Sequence, residues 1–131
     1  MATAEFDTAL VGAWDAHLTF TAGPRQGEHE RLRWTFLPDG VFVGTDGAGG
    51  ELAPAVGEWT AGGDRFSFWL DAVRNDSAGR PTTIVHGYGE GMLAANGRSL
   101  TASGGSEVYS GSGELVVANR ADVRATRIAA A

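Results

Sequence analysis

The sequence contains no cysteine and no lysine. Without cysteine there is no disulfide, no thiol nucleophile and no thiolate metal site. Without lysine there is no Schiff-base chemistry and no P-loop lysine, and all ten basic residues are arginine. The net charge of −6 leaves no basic face to neutralise phosphates, so no nucleic-acid partner is expected. No apolar run approaches the roughly 20 residues of a membrane-spanning helix, so no membrane partner is expected either. The opening stretch MATAEFDTAL has neither a basic n-region nor an apolar h-region, which makes cytoplasmic residence the expectation. His17 and His29 lie apart, and no His, Asp and Glu spacing suggests a metal site. No cofactor is expected.

Glycine is abundant. Its twenty copies stand between short apolar runs without a fixed period, as tight turns and thinned strands require. The 131 residues suffice for one domain with a real core, and no linker interrupts them, so residues 1–131 read as one domain. Helical periodicity is nearly absent; at most the first ten residues form a helical turn or two. The rest alternates with period two between turn signals. The candidate strands are Trp14–Thr21, Glu30–Leu37, Val41–Thr45, Val56–Ala61, Arg65–Val73, Thr82–Ala94, Arg98–Tyr109, Glu114–Ala118 and Ala121–Ile128, the last two being one bent strand or two. The fold class is all-β: a single up-and-down antiparallel barrel of about eight strands, closed because closure removes bare sheet edges.

Three turns set the register. Asn96-Gly97 suits a type I′ hairpin, Gly62-Gly63 serves likewise, and Pro38-Asp39-Gly40 reads as a type I turn with glycine at the bulge. Phe36 then falls opposite Phe42 and Trp34 opposite Gly44; Trp59 falls opposite Phe66 and Gly57 opposite Phe68. The inward set becomes Trp14, Leu18, Phe20, Leu32, Trp34, Phe36, Phe42, Trp59, Phe66, Phe68 and Leu70. In the hairpin 82–109, one face carries Val85, Gly87, Gly89, Gly91 and Leu93 opposite Val108, Ser106, Gly104, Ala102 and Leu100. Turned inward, that face leaves a void beside the aromatic wall. Alternatively its glycines only relieve bending or receive the rings in close packing.

At the chain ends, Gly12-Ala13-Trp14 opens the first strand and Arg127 lies in the last. This pattern resembles the calycin superfamily, which comprises the lipocalins, the fatty-acid-binding proteins and related barrels. The overall strand pattern is also similar to that of bacterial barrel cyclases of the allene oxide cyclase type, including those of polyketide cyclisation. The calycin resemblance implies that Trp14 and Arg127 close the barrel, the guanidinium lying on the indole and bonding carbonyls at the closed end. The helix pair of the fatty-acid-binding proteins has no counterpart, since Thr21–His29 is only a loop.

His86, Tyr88 and Glu90 share the other face of the hairpin, with Glu107 opposite His86. Facing inward they form an acid–base cluster and are the catalytic candidates; facing outward, His86 and Glu107 make an ordinary cross-strand ion pair. The run Gly87 to Gly91 lacks the helix that a dinucleotide loop needs. Loops Ala22–His29, Asp46–Ala55 and Arg74–Pro81 all fall at the open rim and form the gate.

Two functions follow. In the first, a small hydrophobic ligand is held by Trp34, Phe36, Phe42, Trp59, Phe68 and Leu70 against a wall including Gly89, Ala102 and Gly104. In the second, a cyclase or isomerase folds a polyene or polyketide-like substrate in the same cavity by proximity. Outward Val41, Val43, Trp69 and Tyr109 could form a homodimer face.

Overall fold

Alternating strands with a glycine or turn signal every ten or so residues can satisfy their backbone groups by pairing each strand with the next and the last with the first. A computed structural model, which describes residues 9–46, 55–75 and 78–128, has this arrangement. Its strands are β1 (Gly12–Ala22), β2 (His29–Phe36), β3 (Val41–Asp46), β4 (Ala55–Gly62), β5 (Arg65–Asn75), β6 (Pro81–Leu93), β7 (Ser99–Ser110) and β8 (Leu115–Arg127). Each pairs antiparallel with its sequence neighbour, and β1 pairs with β8 to close the barrel. The last two candidate segments are the single strand β8. Register shifts mark two irregularities along it: one skips Thr21 of β1, the other Val116 of β8 itself. Among the described residues there is no helix, and none long and apolar enough to cross a membrane. The helical turn expected at the N-terminus falls largely on residues 1–8, outside the described residues, as does most of the 46–55 loop.

Two turns differ from expectation. No described residue other than glycine has a positive φ, so Asn96-Gly97 is not type I′. Gly97 alone is left-handed (φ 70°), its amide donates to the Ala94 carbonyl, and Asn96 Oδ1 accepts from the Arg98 amide at 2.9 Å. The asparagine thus caps the following backbone instead of adopting a positive φ itself. In the β4–β5 turn, Gly62 pairs with Arg65, so the loop is Gly63-Asp64 with Gly63 at φ 63°. Trp59 therefore faces Phe68, not Phe66, and Gly57 faces Leu70. Moving the hairpin centre by one residue moves the partner by two, so every side chain stays on its expected face. The Pro38–Gly40 turn gives the expected pairs, Phe36 with Phe42 and Trp34 with Gly44.

Of the expected inward residues, all eight aromatics are buried, and Leu18, Leu32 and Leu70 pack half-buried against them. Phe36 is the hub of the closed half, with ring centroids 5.0 Å from Phe42 and 5.6 Å from both Trp59 and Phe66. Rings meeting edge to face at these distances add favourable quadrupole contacts to the burial of their area.

Arg127 closes this end. Its guanidinium lies 4.3 Å from the centroid of the Trp14 ring. Its Nε donates to the Gly97 carbonyl (3.1 Å), Nη1 to Val11 (2.9 Å) and Nη2 to Ala9. Trp14 Nε1 donates to the Leu10 carbonyl at 3.0 Å. One side chain therefore ties the N-terminal segment and the β6–β7 turn to β8. The glycine two residues before Trp14 has a steric cause: a Cβ on Gly12 would stand 2.8 Å from Arg127 Nη1, at a φ of 135°.

Candidate functional site: a cavity in the open half of the barrel

Above the packed aromatics the interior is not filled. A cavity of about 420 Å³ occupies the half of the barrel away from Arg127, within the usual size range of small-molecule sites. Trp34 and Phe68 are the lowest residues lining it and form its floor. Leu18, Leu32, Leu70, Val85, Ala121 and Val123 form an apolar wall. On the β6–β7 side the wall is thinned to backbone at Gly87 and Gly104. The void exists because successive inward positions change size abruptly: Phe66 and Phe68 give way to Leu70 on β5, and Val85, Gly87 and Gly104 face it from β6 and β7.

The mouth is polar. Glu30, at the top of β2, accepts a hydrogen bond from Arg25 Nη1 at 2.9 Å, and Glu28 accepts from Arg25 Nε at 3.2 Å. The Arg25 guanidinium also lies 4.2 Å from the Phe20 ring centroid. Its backbone amide donates to Oδ1 of the buried Asn119 at 3.2 Å. Burial works against the Arg25 charge, but its bonds to Glu30 and Glu28 outweigh it and raise the pKa, so the cation persists. The Ala22–His29 loop is thus fastened across one side of the opening. Thr83, Ser106 and Asn119 add neutral polar groups to the rim.

The residues expected from sequence to hold a ligand divide between two layers. Trp34, Phe68, Leu70 and Gly104 line the cavity. Phe36, Phe42, Trp59 and Ala102 lie below it in the packed core. Gly89 serves a ring: a Cβ there would stand 2.8 Å from the Phe68 ring, so the glycine receives Phe68 instead of bordering free space. A Cβ on Gly91 would meet first the Thr101 carbonyl of the adjacent strand and then the Phe66 ring, at 2.7 Å. Close packing therefore accounts for Gly89 and Gly91; Gly87 and Gly104 border the cavity, where a Cβ on Gly104 would meet the Tyr88 carbonyl of the adjacent strand. Leu18, Leu32, Val85, Val123 and the mouth residues Arg25 and Asn119 were not in the expected ligand set. The alternation already put Leu18 and Leu32 on the inward face, and Val85 on the apolar face of the hairpin whose direction it left open. The fastening of Arg25 depends on loop geometry that no periodicity encodes.

His86, Tyr88 and Glu90 project from the outer face of β6, so they form no acid–base cluster inside the barrel. Glu107 stands opposite His86 on β7 as expected, but the ion-pair partner is the register neighbour on the other side: His86 Nδ1 meets Asp71 Oδ1 of β5 at 2.6 Å. The imidazole lies between Trp69 and Tyr88, with ring centroids 6.3 and 6.0 Å away. Glu107 acts instead on Tyr109, whose pKa rises through desolvation first and that carboxylate second. Among the described residues no three His, Asp or Glu side chains gather as a metal site. No protein-family model matches the chain, and no curated protein does.

Proposed function

We propose that this chain is a calycin-type barrel that binds a small, largely apolar molecule in its open half. The observation that carries the reading is the cavity itself: about 420 Å³, floored by two aromatic rings and walled by aliphatic side chains. Burial of apolar ligand surface at roughly 25 cal/mol per Å² supports micromolar affinity in such a site without a charged contact. The stacking of Arg127 on Trp14 supports the calycin comparison, since that pair stands where the resemblance requires it. With Arg127 and the ring cluster holding the closed half, an occupant need not be part of the core for the barrel to fold.

Native mass spectrometry of the purified protein, followed by extraction of whatever is bound, tests the proposal. A stoichiometric adduct that yields an apolar compound supports it. Protein that carries no adduct and takes up no apolar probe overturns it.

A further inference from the structure

The cavity floor offers an occupant nothing to hydrogen-bond. The rings of Trp34 and Phe68 carry no oxygen, and the Trp34 indole nitrogen is sealed by packing. An oxygen carried down to these rings would lose water and gain no partner, which is costly. Polar side chains among the lining residues gather towards the mouth, as Glu30, Thr83, Ser106 and Asn119.

Asn119 is the buried one of these. It continues the inward face of β8 beyond Val123 and Ala121, opposite Ser106 of β7, and only 6 % of its surface is exposed. Its Oδ1 is turned to the Ala22–His29 loop. The Arg25 amide donates to it at 3.2 Å, and a Cβ on Gly23 would stand 2.5 Å from it. The carboxamide is thus fixed by its oxygen. Its nitrogen, at the other end of the group, donates to no acceptor among the described residues, yet it is not sealed as the Trp34 nitrogen is. Asn119 lines the cavity, so this remaining donor is open to what enters there.

Charge narrows what it can receive. Arg25 is already matched, by Glu28 at 3.2 Å and Glu30 at 2.9 Å. Arg120 occupies an outward, exposed position of β8. A carboxylate beside Asn119 would stand near Glu30, with no unmatched cation on the inward face among the described residues, and burial would count against it. A neutral oxygen meets no such opposition.

Deepening the binding reading above, on which it rests, we infer that the occupant is an apolar molecule with an uncharged acceptor oxygen at its outer end, and that Asn119 Nδ2 donates to that oxygen. The apolar body lies along Leu32, Leu70, Val85 and Val123. Asn119 sets the orientation of the ligand as well as its selection, and the Ala22–His29 loop positions Asn119.

The test uses two probes of nearly the same shape, 2-acetylnaphthalene and 2-isopropenylnaphthalene, titrated by calorimetry into the wild type and Asn119→Leu. Comparing both ligands in both proteins cancels the ketone's greater cost of leaving water and the loss of the loop bond, which weakens both probes alike. The preference for ketone over alkene should be about five- to tenfold larger in the wild type than in the variant. In the wild type, a side-chain amide proton of Asn119 should move downfield in NMR spectra with the ketone and not with the alkene. That second readout decides the matter alone if Asn119→Leu fails to fold. Equal preferences in the two proteins, or Asn119 amide protons that respond alike to both probes, would overturn the inference while leaving the cavity a binding site. 2-Naphthoate, which puts a carboxylate on the same frame, should bind the wild type more weakly than the ketone; equal or tighter binding would overturn the uncharged end. Failure of all three probes to bind the wild type would remove the binding reading and this inference together.

Discussion

Replacing Arg127 with lysine keeps the charge and most of the length, yet it should destabilise the barrel substantially. The guanidinium reaches carbonyls of Ala9, Val11 and Gly97 in three directions while its plane covers the Trp14 ring. A lysine ammonium is a point donor that cannot hold three divergent acceptors and stack at once. Losing two of the three bonds costs about 1 kcal/mol each, at the low end for charged donors because the site is partly solvated. Loss of the cation–π contact adds about 0.5–1 kcal/mol. The expected total is about 2–3 kcal/mol, or a fall in Tm of roughly 7–11 °C for a domain of this size. Urea denaturation followed by tryptophan fluorescence measures the first quantity, and calorimetry the second. A loss below about 0.5 kcal/mol would refute the reasoning, because it would mean the closed end is held by packing alone.

Gly57→Ala should unfold the barrel or cost more than about 3 kcal/mol, since its Cβ would sit on the Trp69 carbonyl of the adjacent strand. Gly87→Ala meets only the flexible tip of Leu70, at 3.1 Å, and should be tolerated; urea midpoints for the pair decide whether the contrast holds. Val85→Phe should project a ring into the cavity, reducing 2-acetylnaphthalene binding more than about tenfold while stability stays within about 1 kcal/mol of wild type. Asp15 accepts two hydrogen bonds from Arg31, both 2.8 Å, and chiefly these hold its carboxyl below the usual range. A depressed folded pKa contributes stability that is present above the unfolded carboxylate value and lost as pH falls through the folded one. Asp15→Asn should therefore be less stable than wild type at neutral pH and equal to it near about pH 2, as acid titrations of the two proteins would reveal.

The barrel was legible because its determinants are local and repeated. Alternation assigned a face to each inward ring, and parity protected that assignment even where the β4–β5 turn was centred one residue away. The closed end was legible because Gly12, Trp14 and Arg127 form a motif whose steric logic is now explicit. What alternation could not supply was depth. Phe36 and Leu32 share a face of β2, yet one is core and the other cavity wall, because their difference lies in what fills the barrel at that height. The partner of His86 was missed for a related reason: two strands flank β6, and only the β7 side had been given a register. Arg25 could not be singled out at all, since its partners Glu28, Glu30 and Asn119 converge through a folded loop and a strand 94 residues away.

The central claim is that the open half of the barrel, and not its outer surface, receives an apolar molecule. Intermolecular NOEs between 2-acetylnaphthalene and the methyl groups of the protein test it most directly. The account predicts NOEs to Leu18, Leu70, Val85 and Val123, which line the cavity. NOEs confined to exposed outer-face residues such as Val56 and Ile84 would contradict it.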